Sequence, residues 1–168
     1  MYICHTPSTH FMTLNDTLEV YIKTTSMALS RMYNAIAASY GISQTMGYIL
    51  IYVEKEGTPS TKLAKLLGMK ISSLTRILKN MESDGSIYKK LDDNDKRITR
   101  VFLTELGLEK RIIAKKTVLE FNEKLLNNIG EADLQAFFNV FKIINQHIKI
   151  ETDKLYTSGF SENIPSNL

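Results

Sequence analysis

Asp95 and Arg97 stand two residues apart in the charged run Asp92-Asp93-Asn94-Asp95-Lys96-Arg97. A carboxylate at that spacing can hold a guanidinium in one geometry, which lowers the entropy lost when the arginine enters a narrow minor groove. A second set, Lys70, Ser72, Ser73, Thr75, Arg76, Lys79 and Asn80, surrounds the apolar positions Leu74, Leu78 and Met81. These are mostly hydrogen-bond donors. Arg76 can meet guanine O6 and N7 bidentately, Ser72, Ser73 and Thr75 can reach base edges or phosphates, and Lys70 near a helix start suits a phosphate. Lys89, Lys90, Lys96 and Arg100 would add phosphate contacts that weaken with salt. The chemistry on offer is recognition of a polyanion.

These side chains need particular supports. Ile71, Leu74, Leu78 and Met81 form the inner stripe of a helix from Ile71 to about Ser83, ended by Gly85. A shorter helix, Thr61 to Leu67, precedes it, burying Leu63, Ala64 and Leu67 and stopping at Gly68, after a turn and cap at Thr58, Pro59 and Ser60. Two short helices joined through a glycine turn make a helix-turn-helix. Beyond Gly85 the period becomes two, so Ile87–Leu91 and Ile98–Leu103 read as a two-stranded hairpin with the charged run at its tip. Upstream, a long helix from Leu14 to Gly41 carries the seam Leu18, Ile22, Thr25, Leu29, Met32 and Ile36, and Ser43 caps a helix through Glu54 with Ile49, Leu50 and Val53 inward. Downstream, Thr104 caps a helix to about Asn128. A last helix from Glu131 to about Ile150 carries Leu134, Phe137, Phe138, Phe141, Ile144 and Ile148.

Charge follows the same division. The whole chain of 168 residues is only +3, but Ser60–Arg100 holds ten basic and five acidic residues, leaving −2 elsewhere. A central basic block on a neutral scaffold suits a polyanion-binding module, although a solvated face would also be charged. No apolar stretch approaches the roughly 20 residues of a membrane helix, and the first ten residues lack a secretory pattern, so a cytoplasmic chain is expected. One cysteine excludes an internal disulfide framework and any Cys-x-x-Cys motif. Neither a nucleophile elbow, a phosphate-binding glycine loop nor a zinc-protease motif occurs, which argues against an enzyme and leaves no cofactor to expect.

The stretch TPSTKLAKLLGMKISSLTRILKNMESDGSIYKKLDDNDKRITRVFLTELG, Thr58 to Gly107, resembles the winged helix of MarR-type (multiple antibiotic resistance) transcriptional regulators. Its strongest element is DKRITRVFLTELG, similar to the family's Asp-x-Arg wing followed by a valine and Leu-Thr-x-x-Gly. Leu63-Ala64, Leu67-Gly68, the Ser72–Arg76 core and Gly85 agree as well, with similarity extending from about Leu14 to Ile150. Ile71 departs from the polar residue usual there, and Glu105-Leu106-Gly107 replaces the common Glu-Lys-Gly. The resemblance implies a mainly α fold with a small β-hairpin wing, a winged helix-turn-helix flanked by N- and C-terminal dimerisation helices. It implies a homodimer on a pseudopalindromic double-stranded DNA operator, with Asp95 orienting the minor-groove arginine Arg97. Leu18, Ile22, Leu29, Phe137, Phe141, Ile144 and Ile148 would then close the two-fold interface.

The expected organisation is an arm at 1–13, a dimerisation helix at 14–42, the DNA-binding unit at 43–104, dimerisation helices at 105–156 and a tail at 157–168. The resemblance further implies a repressor released by a small aromatic ligand, for which Tyr33, Tyr40, Met46 and Tyr48 are the candidates. A Met and Tyr stripe at helical spacing is more often core. A redox role for Cys4, and a metal held by Cys4, His5 and His10, are weaker readings because no nearby cation lowers the thiol pKa and no further ligands stand at zinc spacing. A winged helix that binds only protein is the remaining alternative.

Overall fold

The computed structural model describes residues 13–157. Cys4, His5 and His10, with the expected tail beyond Thr157, lie outside the described residues. The elements run α1 (Leu18–Ala38), α2 (Gln44–Tyr52), β1 (Thr58–Pro59), α3 (Ser60–Leu66), α4 (Ile71–Ser83), β2 (Ile87–Leu91), β3 (Thr99–Leu103), α5 (Glu105–Leu126) and α6 (Glu131–Thr157). The chain divides into two compact units, 1–47 and 48–168. No helix among the described residues is long and apolar enough to cross a membrane.

In the first unit α1 begins at Leu18 rather than Leu14, because Leu14–Asp16 forms a separate 3-10 turn. The Asn34 side-chain oxygen accepts from the Gln44 amide at 2.9 Å, and the expected cap is present, with Ser43 Oγ accepting from the Met46 amide at 3.2 Å. Ile42 is buried, whereas Leu18, Tyr21 and Met27 of α1 stand exposed.

The second unit holds the core. Ile49, Leu50 and Val53, Leu63 and Ala64, Leu74, Leu78 and Met81, Ile87 and Val101 are all buried. The helical members of this set are residues the sequence turns inward, and Ile87 and Val101 of the expected strands join them. Two expectations fail. Ile71, placed on the inner stripe, is 46% exposed at the first position of α4, and Leu67 is only half-buried. Thr58–Pro59 is not just a turn. It is a third strand, giving the antiparallel order β1-β3-β2, with Thr58 opposite Val101 and Pro59 opposite Arg100. Proline is tolerated because β1 is an edge. Thr58 Oγ1, fully buried, accepts from the Glu54 amide at 2.9 Å and donates to the Tyr52 carbonyl at 3.3 Å, binding the end of α2 to the sheet.

The hairpin register sets the wing's two faces. Ile87 faces Leu103, Lys89 faces Val101 and Leu91 faces Thr99 on one side, with Tyr88 opposite Phe102 and Lys90 opposite Arg100 on the other. Tyr88 and Phe102 stack at 5.1 Å between centroids. Phe102 also covers Gly57: at φ +76° this residue favours glycine, and a Cβ there would lie 2.3 Å from the ring.

At the other end of the sheet, the α4–β2 turn is bolted to the start of α5. Thr104 caps α5 by accepting from the Gly107 amide at 3.1 Å, as expected, and donates to the Gly85 carbonyl at 2.6 Å. Lys110 Nζ donates to Ser86 Oγ at 2.8 Å and to Asp84 at 3.3 Å. Burial pushes the Asp84 carboxyl up, but hydrogen bonds from Ser86 and Lys110 outweigh it and the net shift is downward. A Cβ at Gly107 would sit 2.0 Å from the Ser86 carbonyl oxygen. Glycine to alanine ordinarily stabilises a helix by up to about 1 kcal/mol. Here Gly107→Ala is expected to destabilise by about 3 kcal/mol through overpacking against backbone, read as a lower urea midpoint; an unchanged or higher midpoint would refute the contact.

Candidate nucleic-acid interface

The thirteen residues of α4 make a rod about 20 Å long, suited to a major groove about 12 Å wide. Burying Leu74, Leu78 and Met81 forces the opposite face outward, and Lys70, Ser72, Ser73, Thr75, Arg76, Lys79 and Asn80 are all exposed. Ser72, Arg76 and Lys79 follow at i, i+4 and i+7 and so share one line along the rod. Thr75 Oγ1 donates to the Ile71 carbonyl at 2.8 Å, so its hydrogen is spent within the helix and its lone pairs face out. Among the described residues, Lys70, Arg76 and Lys79 have no carboxylate within salt-bridge distance.

At the hairpin tip the expected carboxylate–guanidinium pair is formed. Arg97 Nε donates to Asp95 Oδ1 and Nη2 to Oδ2, each at 3.0 Å, and the Arg97 amide donates to Oδ1 at 3.0 Å. This fork leaves the Arg97 side chain 89% exposed while fixing its plane. The guanidinium holds the Asp95 carboxyl below its ordinary value, and Asp95 raises Arg97 in turn.

The other cations expected to add phosphate contacts each have a partner within the protein. Lys89 pairs with Glu82 at 2.7 Å, tying β2 to the last turn of α4. Lys90 Nζ lies over the Tyr88 and Phe102 rings, 5.3 and 5.8 Å from their centroids. Lys96 is loosely paired with Asp93 at 3.8 Å in full solvent. Arg100 is turned inward, donating through Nε to Asp92 and through Nη1 to the Gly57 carbonyl at 2.9 Å.

Asp92 is the residue that sequence reasoning missed. Set among exposed neighbours in an acidic run, it is 6% exposed, and its Oδ1 also accepts from the Asn94 and Asp95 amides at 2.9 and 3.0 Å. The only signal was Asp-x-Asn at a strand end, a turn former that bonds its own backbone two residues on.

Of the remaining candidates, Tyr40 is 47% exposed, whereas Tyr33, Met46 and Tyr48 are half-buried, and the Tyr48 ring lies 6.3 Å from that of Tyr52. Leu18, Ile22, Phe137 and Ile148 are exposed; Leu29, Phe141 and Ile144 are half-buried.

The sequence profile of the MarR family matches residues 48–99, from α2 through the wing tip. Over that stretch the chain is similar to the MarR family. MarR-family proteins are winged helix-turn-helix, DNA-binding transcriptional regulators rather than enzymes. The HTH-type transcriptional regulator YdgJ of Bacillus subtilis (strain 168) is 27% identical over 112 residues, which is 66% of this chain and 68% of YdgJ. Among solved structures, a MarR-family regulator from Listeria monocytogenes complexed with 26mer DNA superposes with a TM-score of 0.72 at 23% identity, covering 89% of this chain and 98% of that one. The MepR–DNA complex of Staphylococcus aureus gives 0.70 at 20% identity, covering 77% and 98%. These likenesses establish the MarR-like winged fold, and the profile match ends at Thr99, immediately before Arg100.

The Asp92 carboxyl, held by Arg100 and the Asp95 and Asn94 amides, is lowered to about 2. A depressed carboxyl stabilises the fold fully above its ordinary value near 3.8 and loses that contribution as pH falls through the folded value. The Asp92 side-chain carbon resonance is therefore expected to titrate near pH 2, with wing order lost between about pH 4 and pH 2. Titration of Asp92 at the ordinary value would contradict the buried pair.

Proposed function

We propose that the chain is a homodimeric repressor that grips a pseudopalindromic operator with two α4 helices in major grooves and two wings in adjacent minor grooves. The observation that carries this reading is Arg97, held bidentately by Asp95 yet almost wholly exposed at the wing tip. Among the described residues its side chain bonds only Asp95, whereas the negative potential of a narrow minor groove attracts a guanidinium. Arg76 on the outward line of α4 reads a base, and Lys70, Lys79 and Lys96 contact phosphates. The solved relatives carrying DNA support the same use of the fold.

Dimerisation rests on the terminal helices. Leu18 and Ile22 on α1, with Phe137 and Ile148 on α6, leave large apolar side chains in water. A second copy would cover them, and two-fold symmetry would match the palindrome. Release by a small aromatic ligand completes the reading, with Tyr40 the most accessible of its candidate residues.

Five measurements test this. Sedimentation should give a dimer, and duplex affinity should fall steeply with salt, since each phosphate contact releases a counterion. Arg97→Ala should weaken duplex binding with the dimer intact; unchanged affinity would remove the wing from the mechanism. Arg76→Ala should cost about 1 to 3 kcal/mol on a selected site and less on random DNA, whereas equal losses would make it a phosphate contact. A phenolic ligand series that never lowers duplex affinity would strike the effector from the proposal.

A further inference from the structure

We propose that Arg100 and Asp92 form a positioning clamp that sets the shape of the wing tip and presents Arg97, and that Arg100 makes no phosphate contact of its own. This rests on the wing's proposed contact with DNA. A continuous set of hydrogen bonds carries the inference. Gly57, fixed beneath the Phe102 ring, offers its carbonyl to Arg100 Nη1 at 2.9 Å, and Arg100 Nε is bound to Asp92 Oδ2. Asp92 Oδ1 receives the Asn94 and Asp95 amides, and the Asp92 amide donates to the Ile98 carbonyl at 2.8 Å. The Ile98 amide closes the loop onto the Asp95 carbonyl at 2.9 Å. Asp95 then holds Arg97.

Every link fixes backbone or side-chain direction, so the position of Arg97 is referred back through three residues to the loop before β1. Charge arrangement points the same way. Lys90 lies directly opposite Arg100 across the hairpin, a like-charge pairing that would splay the strands without the Asp92 carboxylate. The Arg100 side chain is 34% exposed against 89% for Arg97, and two of its donor nitrogens are already spent inside the protein. An arginine so bound would have to break a buried pair to reach a phosphate.

The test uses the full chain and a duplex selected from a random pool with the wild type. Without DNA, Asp92→Asn and Arg100→Ala should each speed hydrogen exchange of the Asn94 and Asp95 amides about tenfold or more, with the Leu50 and Leu74 amides as folded controls. With DNA, each should weaken binding by about the factor lost in Arg97→Ala, and Asp92→Asn combined with Arg97→Ala should be no worse than Arg97→Ala alone. A general structural defect would multiply with Arg97→Ala. The proposal fails if the tip amides stay protected in Asp92→Asn. It also fails if Arg100→Ala adds fully to Arg97→Ala and lowers the salt slope by about one counterion, the mark of a phosphate contact. A wild type that retains no duplex would remove the functional reading, while the exchange measurement would still decide the clamp.

Discussion

Arg97 stands almost wholly in water at the end of a two-stranded ribbon, where among the described residues its side chain bonds only Asp95. A long cationic side chain that swings freely loses much of its binding energy to ordering when it docks. The two parallel hydrogen bonds that Arg97 donates to Asp95 complete that ordering in advance, at a site where the pair adds little to folding because water screens it. What matters is geometry rather than stabilisation, and the rest of the wing serves to keep the carboxylate itself in place.

That support is built in layers. Asp92 turns the tip and is neutralised by Arg100, Arg100 is anchored on Gly57, and Gly57 is locked by Phe102. At the opposite end of the hairpin, Thr104, Gly107 and Lys110 close onto Gly85 and Ser86, so α5 is fixed to the turn that follows α4. Lys89 and Glu82 join the strand to the same helix. Within this unit the two surfaces proposed to meet DNA, the outward line of α4 and the wing tip, are therefore set in one frame rather than left as separate parts.

Much of the arrangement was legible in the residues. Leu74, Leu78 and Met81 recur at helical spacing and are buried, and Gly85 and Thr104 end and begin helices as their types dictate. Asp95 and Arg97 bond across two residues, a distance so short that local chain geometry suffices. Ile71 misled because periodicity marks a direction around a helix and not how far along it the neighbours reach. Thr58–Pro59 misled because two residues become a strand only through Val101 and Arg100, some forty positions later.

The sequence by itself determined the order of elements, the inward face of each helix, the glycine stops and the carboxylate–arginine pair at the tip, all of which depend on contacts within a few residues. Only the tertiary structure decided which cations remain free. Lys89, Lys90 and Arg100 are drawn to a carboxylate, an aromatic stack and a backbone carbonyl respectively, and Asp92 is buried where it pairs with Arg100 of the far strand. Such pairings depend on strand register and on the approach of a distant loop, which one-dimensional spacing does not contain, because charge attracts across space without regard to position along the chain.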